Sequence, residues 1–245
     1  MTSREKFLTM VTMDSVMLSL ILPCLNEEQN IEKTVRDANS WFRDASIDGE
    51  IIVVNDGSID DTQRIVERLQ SDIPCLRIIR YAHNQGYGSA VSSGCDAATK
   101  EFVAFMDSDG QFDVADFDRL LPHLRDVDFV TGRRRKRADP FLRKMNAKLF
   151  GLLVWVMLGV WVRDINCGMK IFRRSTWQKV RPRHSTGALI NAEIFSRLRA
   201  LDIPWHQVDV PHYPRRFGQQ TGANPGVIAR MFKELWRLRG ARKRM

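Results

Sequence analysis

Four short apolar runs, each closed by turn-forming residues and followed by a stretch with helical spacing, constrain this chain more than any other feature. Residues 17–23, MLSLILP, form the first run and end at Pro23. Residues 50–54, EIIVV, form the second and stop at Asn55-Asp56-Gly57-Ser58. The third covers 76–80, and the fourth, 102–106, runs directly into Asp107-Ser108-Asp109-Gly110. None alternates apolar with polar residues, so they predict strands buried on both faces. Between the first two, Ile31, Val35 and Ala38 recur at helical spacing, with Asn26 as the expected N-cap and Glu27 and Glu28 in the first turn. Asp60-Asp61-Thr62 opens a second helix carrying Ile65, Val66 and Leu69, and residues 89–99 read as a third. Strands joined by helical crossovers predict an α/β fold with a parallel sheet covered on both faces. Ligands of such sheets bind beyond the carboxyl ends of the strands, where the polar clusters fall.

Beyond a short strand at 128–130 the character changes. Residues 133–137 are Arg-Arg-Arg-Lys-Arg, and a helical stretch becoming apolar covers 141–162. Its uncharged part, 149–162, is shorter than the roughly 20 residues that span a bilayer, so it is expected to lie buried or in a membrane interface. Asp164-Ile165-Asn166-Cys167-Gly168 precedes a strand at 169–172, and a helix is expected at 192–200. Pro211 and Pro214 mark 208–218 as an edge strand and loop. A basic helix is expected from 225 to 239.

The length of 245 residues, with 44% hydrophobic and 27% charged, permits a sizeable core without disulfides. Cys24, Cys75, Cys95 and Cys167 form no CxxC and no zinc spacing, and read as reduced structural thiols. A net charge of +9 favours anionic partners. Residues 1–15 have no apolar signal-peptide core, which sets the expectation of a cytoplasmic protein.

Asp107 and Asp109 are the main candidate metal ligands. Two carboxylates two residues apart at a strand end suit a hard cation, Mg²⁺ or Mn²⁺, that shares its ligands with substrate phosphates. The same residues also suit a plain turn. Asp56 could accept a hydrogen bond from the N–H of a nucleobase edge, or simply form an Asx turn. Gly86-x-Gly88 is not read as a dinucleotide fingerprint, because the third glycine is displaced to Gly94 and the next strand ends in the Asp-Ser-Asp motif. A tight turn and close helix packing are expected there instead. Glu193 could act as a general base or favour a helix N-terminus by its charge. Arg215 and Arg216, in a Pro/Gly-flanked loop, suit phosphate. The 133–137 run reads as a nucleic-acid patch or a basic collar near a membrane.

Taken in order, LPCLNEE (22–28), VVNDGSIDDT (53–62), NQGYGSAVSSG (84–94), FMDSDGQF (105–112), TGRR (131–134), DINCGMKIFRR (164–174) and ALINAEIFSR (188–197) resemble the family-2 glycosyltransferases of GT-A fold. The closer likeness is to polyprenyl- and dolichyl-phosphate sugar synthases. The resemblance implies a mostly parallel central sheet flanked by helices. Residues 16–133 would bind the nucleotide sugar, 134–224 would form the acceptor side, and 1–15 and 225–245 would be an N-terminal extension and a basic tail. Pro23, Leu25, Glu27, Val54 and Asp56 would line the nucleoside site. Asp107, Ser108, Asp109 and Gln111 would surround the metal and diphosphate. Arg133 would lie on the acceptor or sugar side, and Arg215 would meet the phosphates beside Arg216. Leu25 stands where the family has a tyrosine, and Thr221 where a lysine often follows the loop arginine.

The activity so implied is inverting transfer from a UDP- or GDP-hexose to a polyprenyl-phosphate acceptor. Glu193 would position that acceptor, or deprotonate it if it were a hydroxyl. The protein would be peripheral on the cytoplasmic membrane face, with a membrane-protein partner possible in principle. Two rivals are transfer to a soluble hydroxyl acceptor, and a non-catalytic basic protein that binds membranes or nucleic acid on this scaffold. No specific nucleic-acid motif is present in the sequence.

Overall fold

The computed structural model describes residues 16–135, 141–215, 217 and 233–240. The first half is β1 (Met17–Cys24), α1 (Ile31–Asp44), β2 (Asp48–Asn55), α2 (Thr62–Asp72), β3 (Leu76–Arg80), α3 (Tyr87–Ala97) and β4 (Phe102–Phe105). Next come 3₁₀ turns at Val114–Asp116 and Leu121–Arg125 around a one-turn α4 (Phe117–Leu120). The second half is β5 (Phe129–Arg134), α5 (Phe141–Leu158), β6 (Lys170–Arg173), α6 (Arg174–Val180), α7 (Ile190–Ala200) and β7 (Trp205–Val210). Residues 233–240 form a further helix, α8.

The seven strands make one sheet in the order β3-β2-β1-β4-β6-β5-β7. Side chains along a strand point alternately to opposite faces. Leu20 and Leu22 of β1, with Ile51 and Val53 of β2, therefore meet Ile31 and Val35 of α1 and Val66 and Leu69 of α2. Ile21, Ile52 and Val54 face the other way, into a second core with Ala90 and Val91 of α3 and Ile194 and Phe195 of α7. Burial on both faces is why these runs lack alternation.

Several local expectations are corrected. Pro23 does not end β1. It pairs in register with Val54, and the strand continues to Cys24. Asn26 does not cap α1: it sits in the left-handed region, φ 55°, and the helix begins at Ile31 after Asn30. The apolar helix ends at Leu158 rather than 162, because Gly159 adopts φ 64° and its N–H closes the last turn on the Trp155 carbonyl at 2.7 Å. Within the expected basic helix, Leu235 and Leu238 of α8 lie in the second core.

The sheet is not uniformly parallel. β6 runs antiparallel to both β4 and β5, whereas β5 and β7 are parallel. The sheet also continues across residues 133–134, so the two halves share it. β6 consequently brings its amino end, not its carboxyl end, to the edge where β1, β2, β4, β5 and β7 terminate. No helix among the described residues is long and apolar enough to cross a membrane.

Candidate active site

Loops after β1, β2, β4 and β7 and the loop entering β6 converge at that edge. The loop after β4 carries Asp109, whose Oδ1 accepts the Gln111 N–H at 3.0 Å. Its Oδ2 accepts from Arg215 Nη2 at 2.5 Å, a pair nearly enclosed by protein. Glu27, from the loop after β1, belongs to the same charge group. Burial raises its carboxyl above the usual range, the Asn30 amide and Arg215 oppose the rise, and the negative charges of Asp109 and Asp107 add to it. Sequence positions 27, 107, 109 and 215 are thus gathered into one electrostatic unit.

Asp107 accepts from the Tyr87 hydroxyl through Oδ1 at 2.8 Å. Its other oxygen lies over Gly168, where an added Cβ would stand 2.0 Å from Oδ2. Glycine is needed there to admit the carboxylate. Lys170 is fully buried beneath, donating to the Ile165 carbonyl at 3.5 Å and to the Cys167 carbonyl, with its ammonium 5.2 Å from the Phe105 ring centroid. Burial pulls the Lys170 pKa down to about 8, against the Cys167, Asp107 and Asp164 charges that raise it. Burial, then the adjacent Asp109, pushes Asp107 above the usual carboxylate range. Asp107 and Asp109 present hard oxygen donors on one loop, the donor chemistry that a divalent cation fits, and Arg215 is the partner such a cation would displace from Asp109.

Other expected site residues take different roles. Asp56 has both oxygens engaged, accepting the N–H groups of Gln85 at 2.7 Å and Gly86 at 2.9 Å. It anchors the turn before α3, where Gly86 has φ 101° and packs on the Thr186 carbonyl. This bears out the tight-turn reading of Gly86 and Gly88. The Ser108 hydroxyl points inward and donates to the Pro23 carbonyl at 3.0 Å. Pro23 is buried and Val54 is fully enclosed in the second core, so these side chains build the walls' support rather than an open lining. Leu25 remains half-exposed. Gln111 uses its amide to hold the Tyr213 carbonyl at 3.2 Å, fastening the arm that carries Arg215.

Glu193 is completely buried. Oε1 accepts the Arg183 N–H at 2.7 Å, and Oε2 accepts the His184 N–H at 3.1 Å. It secures residues 183–184 through their N–H groups, a geometry that favours a structural role over the general base that was one of the readings of Glu193. Arg133 pairs with Asp209 at 2.5 Å, and Arg134 forms a buried two-pronged pair with Asp164 at 2.7 and 2.8 Å. The basic run is therefore not a uniform exposed patch. Residues 136 and 137 lie outside the described residues, as do Arg216 and Thr221.

Sequence reasoning passed over Tyr87, Gly168 and Lys170. A lysine inside the apolar run Met169–Phe172 was the available signal for Lys170. Nothing local signalled Tyr87, whose partner is 20 residues away.

A seven-stranded mixed sheet with acidic residues at the carboxyl edge defines an α/β protein of GT-A fold. Glucosyl-3-phosphoglycerate synthase from Mycobacterium tuberculosis, solved with Mn²⁺, uridine diphosphate and glucosyl-3-phosphoglycerate, superposes with a TM-score of 0.71. It is 21% identical, and the match covers 92% of this chain and 80% of that one. The pattern of the family described as Glycosyl transferase family 2 matches residues 19–199, and the chain belongs to that family. A dolichyl-phosphate beta-glucosyltransferase of Trichomonas vaginalis is 26% identical over 219 residues, covering 80% of this chain and 67% of the relative. A dodecaprenyl-phosphate galacturonate synthase of Rhizobium johnstonii is 33% identical over 174 residues, covering 68% of this chain and 51% of the relative. The chain thus spans about half to two thirds of the length of these curated relatives.

Proposed function

We propose that this protein is an inverting hexosyltransferase that moves a sugar from a UDP- or GDP-linked donor to a polyprenyl-phosphate-type lipid. The observation that carries the reading is the grouping of Asp107, Asp109 and Arg215 at the edge where such folds hold nucleotide diphosphates. Mg²⁺ or Mn²⁺ held by Asp107 and Asp109 would neutralise the charge of the departing diphosphate. Arg215 would exchange Asp109 for a phosphate oxygen as donor binds, and Arg216 would extend that cationic arm. Lys170 would keep Asp107 ionised from below, and Tyr87 would fix its orientation. Glu27 and Leu25 would face the nucleoside side, and Arg133 the acceptor side. Residues 16–133 would serve the donor and 134–224 the acceptor, with 1–15 and 225–245 as flanking segments.

Curated relatives named for dolichyl- and dodecaprenyl-phosphate acceptors support the lipid. So does α5. At 100° per residue, Val154 and Leu158 share the buried face, whereas Met145, Leu149, Leu152 and Val156 lie within one opposite stripe. Those four are 49%, 55%, 46% and 66% exposed, an apolar surface suited to the lipid interface. A lipid phosphate arrives already ionised, which is compatible with a Glu193 committed to backbone N–H groups. The working place of the protein would then be a membrane surface.

The test supplies labelled UDP- and GDP-sugars with polyprenyl phosphate in vesicles or with soluble sugar and phosphoglycerate acceptors, with and without Mn²⁺. Metal-dependent label in the lipid fraction is expected. Label confined to soluble products would overturn the acceptor assignment, and no transfer to any acceptor would favour the non-catalytic alternative.

A further inference from the structure

Far from the carboxylate cluster, at the edge where β5 and β7 begin, stands a second group of ligand-type side chains. His123 lies in the 3₁₀ turn Leu121–Arg125, Asp126 follows that turn, and His206 is the second residue of β7, in register with Val130 of β5. We propose that His123, Asp126 and His206 bind a zinc-type transition-metal ion, separate from the cation expected at Asp107 and Asp109.

Distance and donor chemistry carry the assignment. The ligand atoms of the three side chains all lie within 4.8 Å of one another. The Nδ1 atoms of the two imidazoles are 3.4 Å apart, with the rings nearly perpendicular at 75°. A tetrahedral ion with metal–nitrogen bonds of about 2.0–2.1 Å holds its nitrogen ligands about 3.3–3.4 Å apart. The imidazoles therefore already stand at the edge length of such a site, and a modest rotation of the Asp126 side chain supplies the third donor. Two imidazoles and a carboxylate suit zinc, cobalt or nickel, whereas Mg²⁺ prefers oxygen ligands alone. The turn is closed by the N–H groups of Asp126 and Val127 on the His123 carbonyl at 3.1 and 3.2 Å, which brings Asp126 back beside the histidine. The histidines are half-buried and Asp126 is exposed, so water can fill the fourth position.

A bound ion would tie the edge strand β7 to the turn packed beside it. β7 leads at its other end into the arm that delivers Arg215 to Asp109, so the effect expected is greater rigidity of that arm rather than a part in the chemistry.

The experiment titrates the full chain with Co²⁺, a spectroscopic stand-in for zinc, in saturating Mg²⁺. One equivalent with the strong visible absorption of a tetrahedral site is expected in the wild type and in Asp109→Asn. That absorption is expected to vanish in His123→Gln and His206→Gln, and Zn²⁺ is expected to raise the wild-type melting temperature in excess Mg²⁺. Absorption absent from the wild type would identify the pair as hydrogen-bonded imidazoles and overturn the site. So would absorption that is lost in Asp109→Asn but retained in His206→Gln. Asp126→Asn, at an exposed position, covers the case in which the histidine variants do not fold. A Co²⁺ affinity lower by tenfold or more supports the site, and an unchanged affinity overturns it.

Discussion

Glu50 sits near the amino end of β2, remote from the candidate site, and joins four segments of the fold. Oε1 accepts from the Ser19 hydroxyl at 2.6 Å and from both the N–H and the hydroxyl of Thr99 at 2.7 Å. Oε2 accepts from Arg77 Nη1 at 2.6 Å. Burial resists ionisation of Glu50, but these hydrogen bonds outweigh it and hold the carboxyl below the usual range. Glu50→Gln keeps the shape and removes the charge. Three bonds to Oε1 fall from the charge-assisted range, about 1.5–3 kcal/mol each, toward the neutral range of about 0.5–1.5 kcal/mol. The Arg77 pair adds under about 1 kcal/mol, because Arg77 is half-exposed and screened. After part of the loss is offset by no longer burying a charge, the expected destabilisation is about 2–3 kcal/mol. That corresponds to roughly 4–12 °C in melting temperature for a chain of this size. Because the folded pKa is depressed, the contribution is complete above the unfolded glutamate value of about 4.3 and is lost as pH falls through the folded value. Urea unfolding of both proteins at pH 7 and pH 3 should show the full gap at the first and a narrowed one at the second. A gap below about 0.5 kcal/mol at pH 7, or an equal gap at both pH values, would refute the reasoning.

Asp109→Ala is expected to lower turnover by about 10²–10³-fold or more, read by labelled-sugar transfer, while circular dichroism stays native. Gly168→Ala drives a methyl group into the Asp107 carboxylate and should raise the metal concentration needed for half-maximal activity at least tenfold, with a smaller change in melting temperature. Glu193→Gln should destabilise the fold by about 1–3 kcal/mol through weakened acceptance of the Arg183 and His184 N–H groups. Its pH–rate profile should keep the wild-type shape, and loss of the acidic limb, where a base would be protonated, would make Glu193 the base.

Much of the first half of the chain was legible in sequence because its signals are local. Residues 76–80 were read as a strand and form β3 as Leu76–Arg80. An apolar run buried on both faces excludes alternation, so β1, β2 and β4 stood out without any knowledge of their neighbours. Asp107 and Asp109 could be placed beyond β4 because the polar cluster begins where the run stops. At Pro23 and Asn26, pairing with β2 and a left-handed turn override the local preferences of the residues.

Tertiary structure decided the remainder. The direction of β6 depends on which strands it pairs with, and no periodicity within Lys170–Arg173 encodes that choice. Yet that direction delivers Gly168 and Lys170 to the carboxyl edge. The same holds for Asp56, a candidate acceptor for a nucleobase edge, and Glu193, a candidate base, whose oxygens close on backbone N–H groups. Arg215 meets Asp109 across 106 positions of chain. Residue types and spacing determined which groups could do chemistry; the pairing of distant strands determined which of them share one edge of the sheet, because such contacts form between segments whose sequences carry no record of one another.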